Sequence, residues 1–172
     1  MREFILSVGA QTLSASFAGT LALLSPSVAP NVNIEILRQW ISQSANATSA
    51  QQRVQIASLS SPFPLFTAGP APQKTKRADP NASTLLAVTS AGFQAITGNA
   101  GINASSQGTG AETTIMEDNF NVLNGWLNVP TPPETLIFPA QIAASPAAYN
   151  MWFPTTPAGL TVWGWGVTFR EV

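Results

Sequence analysis

The chain has no cysteine and no histidine, and only 9% of its 172 residues carry charge, where about 25% is usual for a soluble domain. Without cysteine there is no disulfide, no zinc-thiolate site and no thiol nucleophile. Without histidine the commonest general base and transition-metal ligand are missing, and so is every Ser-His hydrolase mechanism. Seven basic residues against eight acidic ones leave a net charge of −1. That balance argues against a nucleic-acid partner, which needs clustered Lys and Arg. No apolar run reaches the ~18 residues of a membrane-spanning helix, so no membrane partner is expected. Residues 1–18 loosely imitate a signal peptide, but Glu3, Gln11 and Thr12 interrupt the apolar stretch.

What is present is a chain of 45% hydrophobic residues set among Ala, Ser, Thr, Asn, Gly and 14 prolines. Its period is mostly two. Residues 4–8, 20–24, 32–42, 53–59, 84–88, 120–129, 136–138, 148–153 and 160–171 each read as a strand. In 32–42, Val32, Ile34, Ile36 and Trp40 alternate with Asn33, Glu35 and Gln39. Arg38, Leu37 and Ile41 break that order, which suits a bulge or a second buried face. In the last segment Trp163, Trp165, Val167 and Phe169 share one face, with Gly164 and Gly166 on the other. Proline density over 61–81 excludes helix and central strand. Residues 98–110 read as a low-complexity loop, and 86–97 is the only helix-compatible stretch. Eight to nine short strands and no firm helix predict an all-β fold, a sandwich or a barrel, with long Pro- and Gly-rich loops. Residues 1–16 form an N-terminal strand or arm and 17–172 the domain.

Candidate chemistry is sparse. Glu112, Glu117 and Asp118 lie within seven positions, but no calcium-loop pattern accompanies them, and a solvated loop end leading into Phe120 is the simpler reading. Trp126, Trp152, Trp163 and Trp165, with Tyr149 and Phe153, suit either a sugar-stacking platform or a core and interface; the second use of aromatics is the commoner. Lys74, Lys76 and Arg77 form a small basic cluster suited to a protein contact. No phosphate loop or nucleophile elbow occurs. The chain is expected to be no enzyme, with no catalytic residue, metal or cofactor.

The order TLALLSPSVAPNVNIEIL (20–37), RVQIASL (53–59), the Pro-rich QKTKRADPNAST (73–84), AAYNMWF (147–153) and the terminal VWGWGVTFREV (162–172) resembles small single-jelly-roll structural proteins of bacterial viruses. The likeness is above all to decoration, or cement, proteins of tailed-phage heads. It implies a single antiparallel β-sandwich of jelly-roll type, and a homotrimer on the capsid exterior, made in the host cytoplasm, that binds the major capsid protein and clamps neighbouring subunits. The contact residues expected on this reading are Phe4, Ile5 and Leu6 in an arm, Lys74, Lys76 and Arg77 in the Pro-rich loop, and Trp126 and Trp152. Three alternatives stand beside it. One is a carbohydrate-binding module or a fibre or tail component using the aromatic cluster. Another is a shell-forming minor capsid jelly roll of a membrane-containing phage. The third is a two-carboxylate glycosidase, for which eight acidic residues offer little.

Overall fold

A computed structural model describes residues 2–13, 19–26, 31–45, 48–60, 66–67, 71–75, 81–87, 99–104, 109–132, 134–140, 147–157 and 162–172. The alternating segments become strands: β1 (Arg2–Gln11), β2 (Thr20–Ser25), β3 (Ile34–Gln43), β4 (Gln51–Ser60), β5 (Phe66–Thr67), β6 (Gln73–Lys74), β7 (Leu86–Ala87), β8 (Asn99–Ala104), β9 (Glu112–Asn121), β10 (Trp126–Asn128), β11 (Leu136–Phe138), β12 (Ala147–Trp152) and β13 (Trp163–Glu171). No helix occurs among the described residues.

Two sheets form. The first runs β10-β3-β13-β1-β6, with β11 also on β3; the second runs β5-β8-β2-β12-β4-β9, with β7 on β8. Every pairing is antiparallel except β7 on β8. With β5 to β8 set aside, β10 and β11 act as one interrupted edge strand. The first sheet is then β1-β13-β3-β10/β11, and the second is β2-β12-β4-β9. In chain order these are strands one, eight, three and six facing two, seven, four and five. That interleaving is the double Greek key of a jelly roll.

The core lies between the sheets and follows the alternation of β13. Trp163, Trp165, Val167 and Phe169 all point inward and are buried. Phe153 meets Trp163 edge-on at 5.1 Å between ring centroids, Phe138 meets Tyr149 at 5.5 Å, and Phe4 lies 5.8 Å from Phe169. These are the tilted and edge-to-face geometries that aromatic quadrupoles favour. The register of β2 on β12 slips at Leu21, whose carbonyl accepts a 2.8 Å bond from the Trp165 indole. A carbonyl freed by the slip is thus satisfied within the core.

The bulge read in β3 is present: Phe169 pairs with Ile36 and Thr168 with Arg38, leaving Leu37 extra. Its effect is to reverse the phase of the strand. Ile34 and Ile36 point inward before it, Gln39 and Ile41 after it. Trp40, read from the sequence as a core residue, is turned to the outer face.

Of the two readings of the N-terminal segment, strand and arm, Arg2–Gln11 form a strand: β1 lies between β13 and β6, and Phe4 and Leu6 are in the core with 0% and 1% exposure. Two other expectations are corrected. Residues 98–110 are not all loop, since β8 pairs with β2, β5 and β7; small residues reach strand pairing because three partners supply the hydrogen bonds. Glu112, Glu117 and Asp118 lie on a ten-residue strand, not on a loop end. Glu117 and Asp118 are exposed on this edge strand, where water solvates their charge. Of the helix-compatible stretch, 86–87 is strand, and 88–97 falls outside the described residues.

The 61–111 segment, inserted between β4 and β9, extends both sheets on one side: β6 covers β1, and β8 covers β2. Glu171 ties it down. Its Oε1 accepts bonds from Ser83 Oγ (2.7 Å), Thr84 N (2.7 Å) and Thr84 Oγ1 (3.0 Å). Its Oε2 faces the Arg2 guanidinium at 3.2 Å, close enough for an ion pair though not aligned as a hydrogen bond.

Candidate functional site

On the side opposite the insertion both sheets end open. Among the described residues, β9 pairs only with β4, and β10 and β11 pair only with β3. The turn joining β9 to β10 needs Gly125 at φ +69°: a Cβ there would stand 2.9 Å from the Ile41 carbonyl oxygen. The register of β9 on β4 slips so that Ile115 is the extra residue between Thr114 and Met116. This edge gathers most of the large exposed hydrophobic side chains: Ile115 (44%), Leu127 (64%), Val129 (53%) and Ile137 (55%). Between the sheets it opens into adjoining grooves of about 420 and 470 Å³. Ile115, Thr135 and Leu136 line both of them.

Behind the grooves a chain of polar groups crosses the sandwich. The Tyr149 hydroxyl donates to Gln39 Oε1, Gln39 Nε2 donates to Asn128 Oδ1 at 2.9 Å, and Asn128 Nδ2 reaches Met116 Sδ at 3.6 Å. The Trp126 indole donates to Asp118 Oδ2 at 2.9 Å. These bonds tie β12, β3, β10 and β9 together and hold the open edge rigid. Burial pushes the Tyr149 phenol well above its usual pKa of 10.0.

The acidic residues do not form a reactive pair. Glu117 accepts hydrogen bonds from Arg53 and Gln55, which hold its carboxyl below the usual range. Asp118 is taken by Trp126 and by the Asn119 amide. No group of three acidic residues that could hold a metal ion occurs among the described residues.

The residues expected as contacts are dispersed. Phe4 and Leu6 are core, while Ile5 is half-buried and, paired with Thr168, faces outward on the first sheet. Lys74 is in β6, on the far side from the open edge. Lys76 and Arg77 lie outside the described residues. Trp126 is buried, and Trp152 is half-buried on the outer face of the second sheet. The aromatic cluster is no exposed platform: Trp163, Trp165, Tyr149 and Phe153 fill the core. Sequence reasoning missed Leu127, Val129 and Ile137. Their only signal was apolar residues among the breakers Gly125, Pro130, Pro132 and Pro133.

Comparison with protein-family models, with curated proteins and with solved structures gives no significant match.

Proposed function

We propose that this chain is a structural assembly protein that docks on the exterior of a bacteriophage capsid and clamps neighbouring shell subunits. The carrying observation is the open edge. Four large apolar side chains, Ile115, Leu127, Val129 and Ile137, stand exposed along strands whose outer edges have no partner among the described residues, beside a polar network that links those strands. Exposed strand edges pair with other chains, and contiguous apolar surface favours protein contacts. A composition with 9% charge offers little repulsion between neighbours. The resemblance in segment order supplies the phage setting, since a jelly roll by itself serves many functions.

The partners on this reading are the major capsid protein and two further copies of the chain. The test is labelling of intact particles, made by the virus that encodes the chain, with antibodies to it in electron microscopy. Label spaced over head exteriors is expected. Particles free of the protein, or label confined to tails, overturn the reading. Leu127→Lys with Ile137→Lys should leave the fold intact and cut occupancy on heads by at least about tenfold, since each change places a charge at the contact.

A further inference from the structure

We propose that the outer face of the first sheet carries a binding site for an acidic saccharide, a sugar bearing a carboxylate, centred on Arg38 and Trp40. The site does not rest on the assembly reading, although it shares Leu127 with the open edge.

It begins with the bulge at Leu37, which turns Trp40 outward. There Trp40 pairs across the sheet with Leu127 on one side and Gly166 on the other. Its benzo ring lies directly over Gly166: a Cβ at that position would meet Cζ2, Cη2 and Cε2 of the ring. A flat indole therefore rests on bare backbone, which only glycine permits. Above the indole sits the Arg38 guanidinium, its Cζ 4.8 Å from the ring centroid. This cation–π contact leaves the guanidinium N–H donors without a carboxylate, and such a fork is suited to grip one bidentately.

Arg38 differs from its counterparts. Arg2 faces Glu171, Arg53 holds Glu117, and Arg170 bridges Glu3 and Glu35. Among the described arginines only Arg38 has no carboxylate partner. It is also exposed.

The stack forms one wall of a groove of about 460 Å³, whose other sides include Ser42, Asn124, Gly125 and Leu127. That is the size of a small-ligand site. Leu127 and the Trp40 edge present apolar surface to the C–H face of a sugar ring. The Ser42 hydroxyl, which donates to the Gly164 carbonyl at 3.4 Å, keeps its acceptor lone pairs for the sugar hydroxyls, and the Asn124 side-chain amide carries both donors and an acceptor. A cation, an apolar plate and neutral polar groups in one concavity match a carboxylated sugar better than a neutral one.

The test is NMR titration of the 15N-labelled chain, following the five tryptophan indole signals and the arginine Nε signals. The probes are sialyllactose, trigalacturonate, lactose and a tetraglutamate peptide. At least one acidic sugar should shift the Trp40 and Arg38 signals with a Kd of about 1 mM or tighter, and lactose should bind at least about tenfold more weakly. Arg38→Gln should abolish that preference with an unchanged thermal midpoint, since the residue is exposed. No binding of either acidic sugar overturns the proposal. So does equal binding of lactose, or an Arg38→Gln variant that binds as before. Tighter binding of the peptide than of both sugars would instead make the site a reader of protein carboxylates.

Discussion

At the residue scale the buried phenol of Tyr149 makes the clearest prediction, because it is the only tyrosine in the chain. Its pKa is raised by burial, so the neutral form belongs to the folded state. The unfolded chain ionises near 10.0, and the folded chain only well above it. This contribution to stability is therefore complete below pH 10 and falls as pH rises beyond. In an alkaline titration, tyrosinate absorbance should appear together with the loss of near-ultraviolet circular dichroism. Absorbance rising near pH 10 with the dichroism intact would show the phenol to be accessible. Tyr149→Phe should flatten the alkaline dependence, yet cost about 1–3 kcal/mol at neutral pH, because Gln39 Oε1 is left as a buried acceptor. Asn150 is a contrasting case. It is fully buried, and neither its Nδ2 nor its Oδ1 makes a hydrogen bond. No physical account of it follows from its surroundings on β12.

At the element scale the insertion and β1 are both held to the sandwich by strand pairing, and the insertion has an added polar tie. β1 is a sheet strand paired to β13 from Arg2 to Gln11, with a register shift before Gln11. That shift places Ala10 at φ +57°, opposite the end of β13, where Val162 sits at +58°. Deleting residues 1–11 removes Phe4 and Leu6 from the core, so it should unfold the domain rather than free an arm. The insertion is paired through β6 on β1 and β8 on β2, and the buried Glu171 carboxylate adds three hydrogen bonds from Ser83 and Thr84. Glu171→Ala should lower stability by at least about 2 kcal/mol, since it strands a backbone N–H and two hydroxyls. Protection of the Thr84 amide from hydrogen exchange should fall more than that of β3 and β12. Uniform loss of protection across the sandwich would argue that Glu171 supports the whole fold.

At the scale of the molecule the two flanks differ: β6 and β8 of the insertion cover the β1 and β2 edges, while among the described residues nothing pairs with the outer edges of β9, β10 and β11. Association through that second flank is apolar in character, so salt should not weaken it. Light scattering of the purified chain is expected to give the mass of a trimer, unchanged from low to physiological salt. Leu127→Lys with Ile137→Lys should return a monomer with the same thermal midpoint. A monomeric wild-type chain would remove self-association from the reading and leave the shell as the sole docking partner. A trimer that dissolves with added salt would move the contact to the ionic groups.

The alternation of β13 was legible from residues 160–171 alone, because side-chain direction along a strand is a local property with period two. The same holds for the lack of histidine and cysteine, and for the strand stubs ended by Pro26, Pro139 and Pro154. Even the irregularity in β3 was visible as a broken pattern at Leu37, Arg38 and Ile41. Its consequence was not. Whether Trp40 or Gln39 faces the core depends on which residue of β13, more than a hundred positions away, takes the pairing slot after Ile36. The sites follow the same rule. Gly166 matters because Trp40 lies on it, and Glu171 because Thr84 reaches it. Phe4 and Leu6 are core, not contact, because β1 has neighbours on both sides. Composition and period determine that this chain makes strands and which faces of them are apolar. The tertiary structure decides which edges are left over for other molecules, because an edge is defined only by the partner a strand does not have.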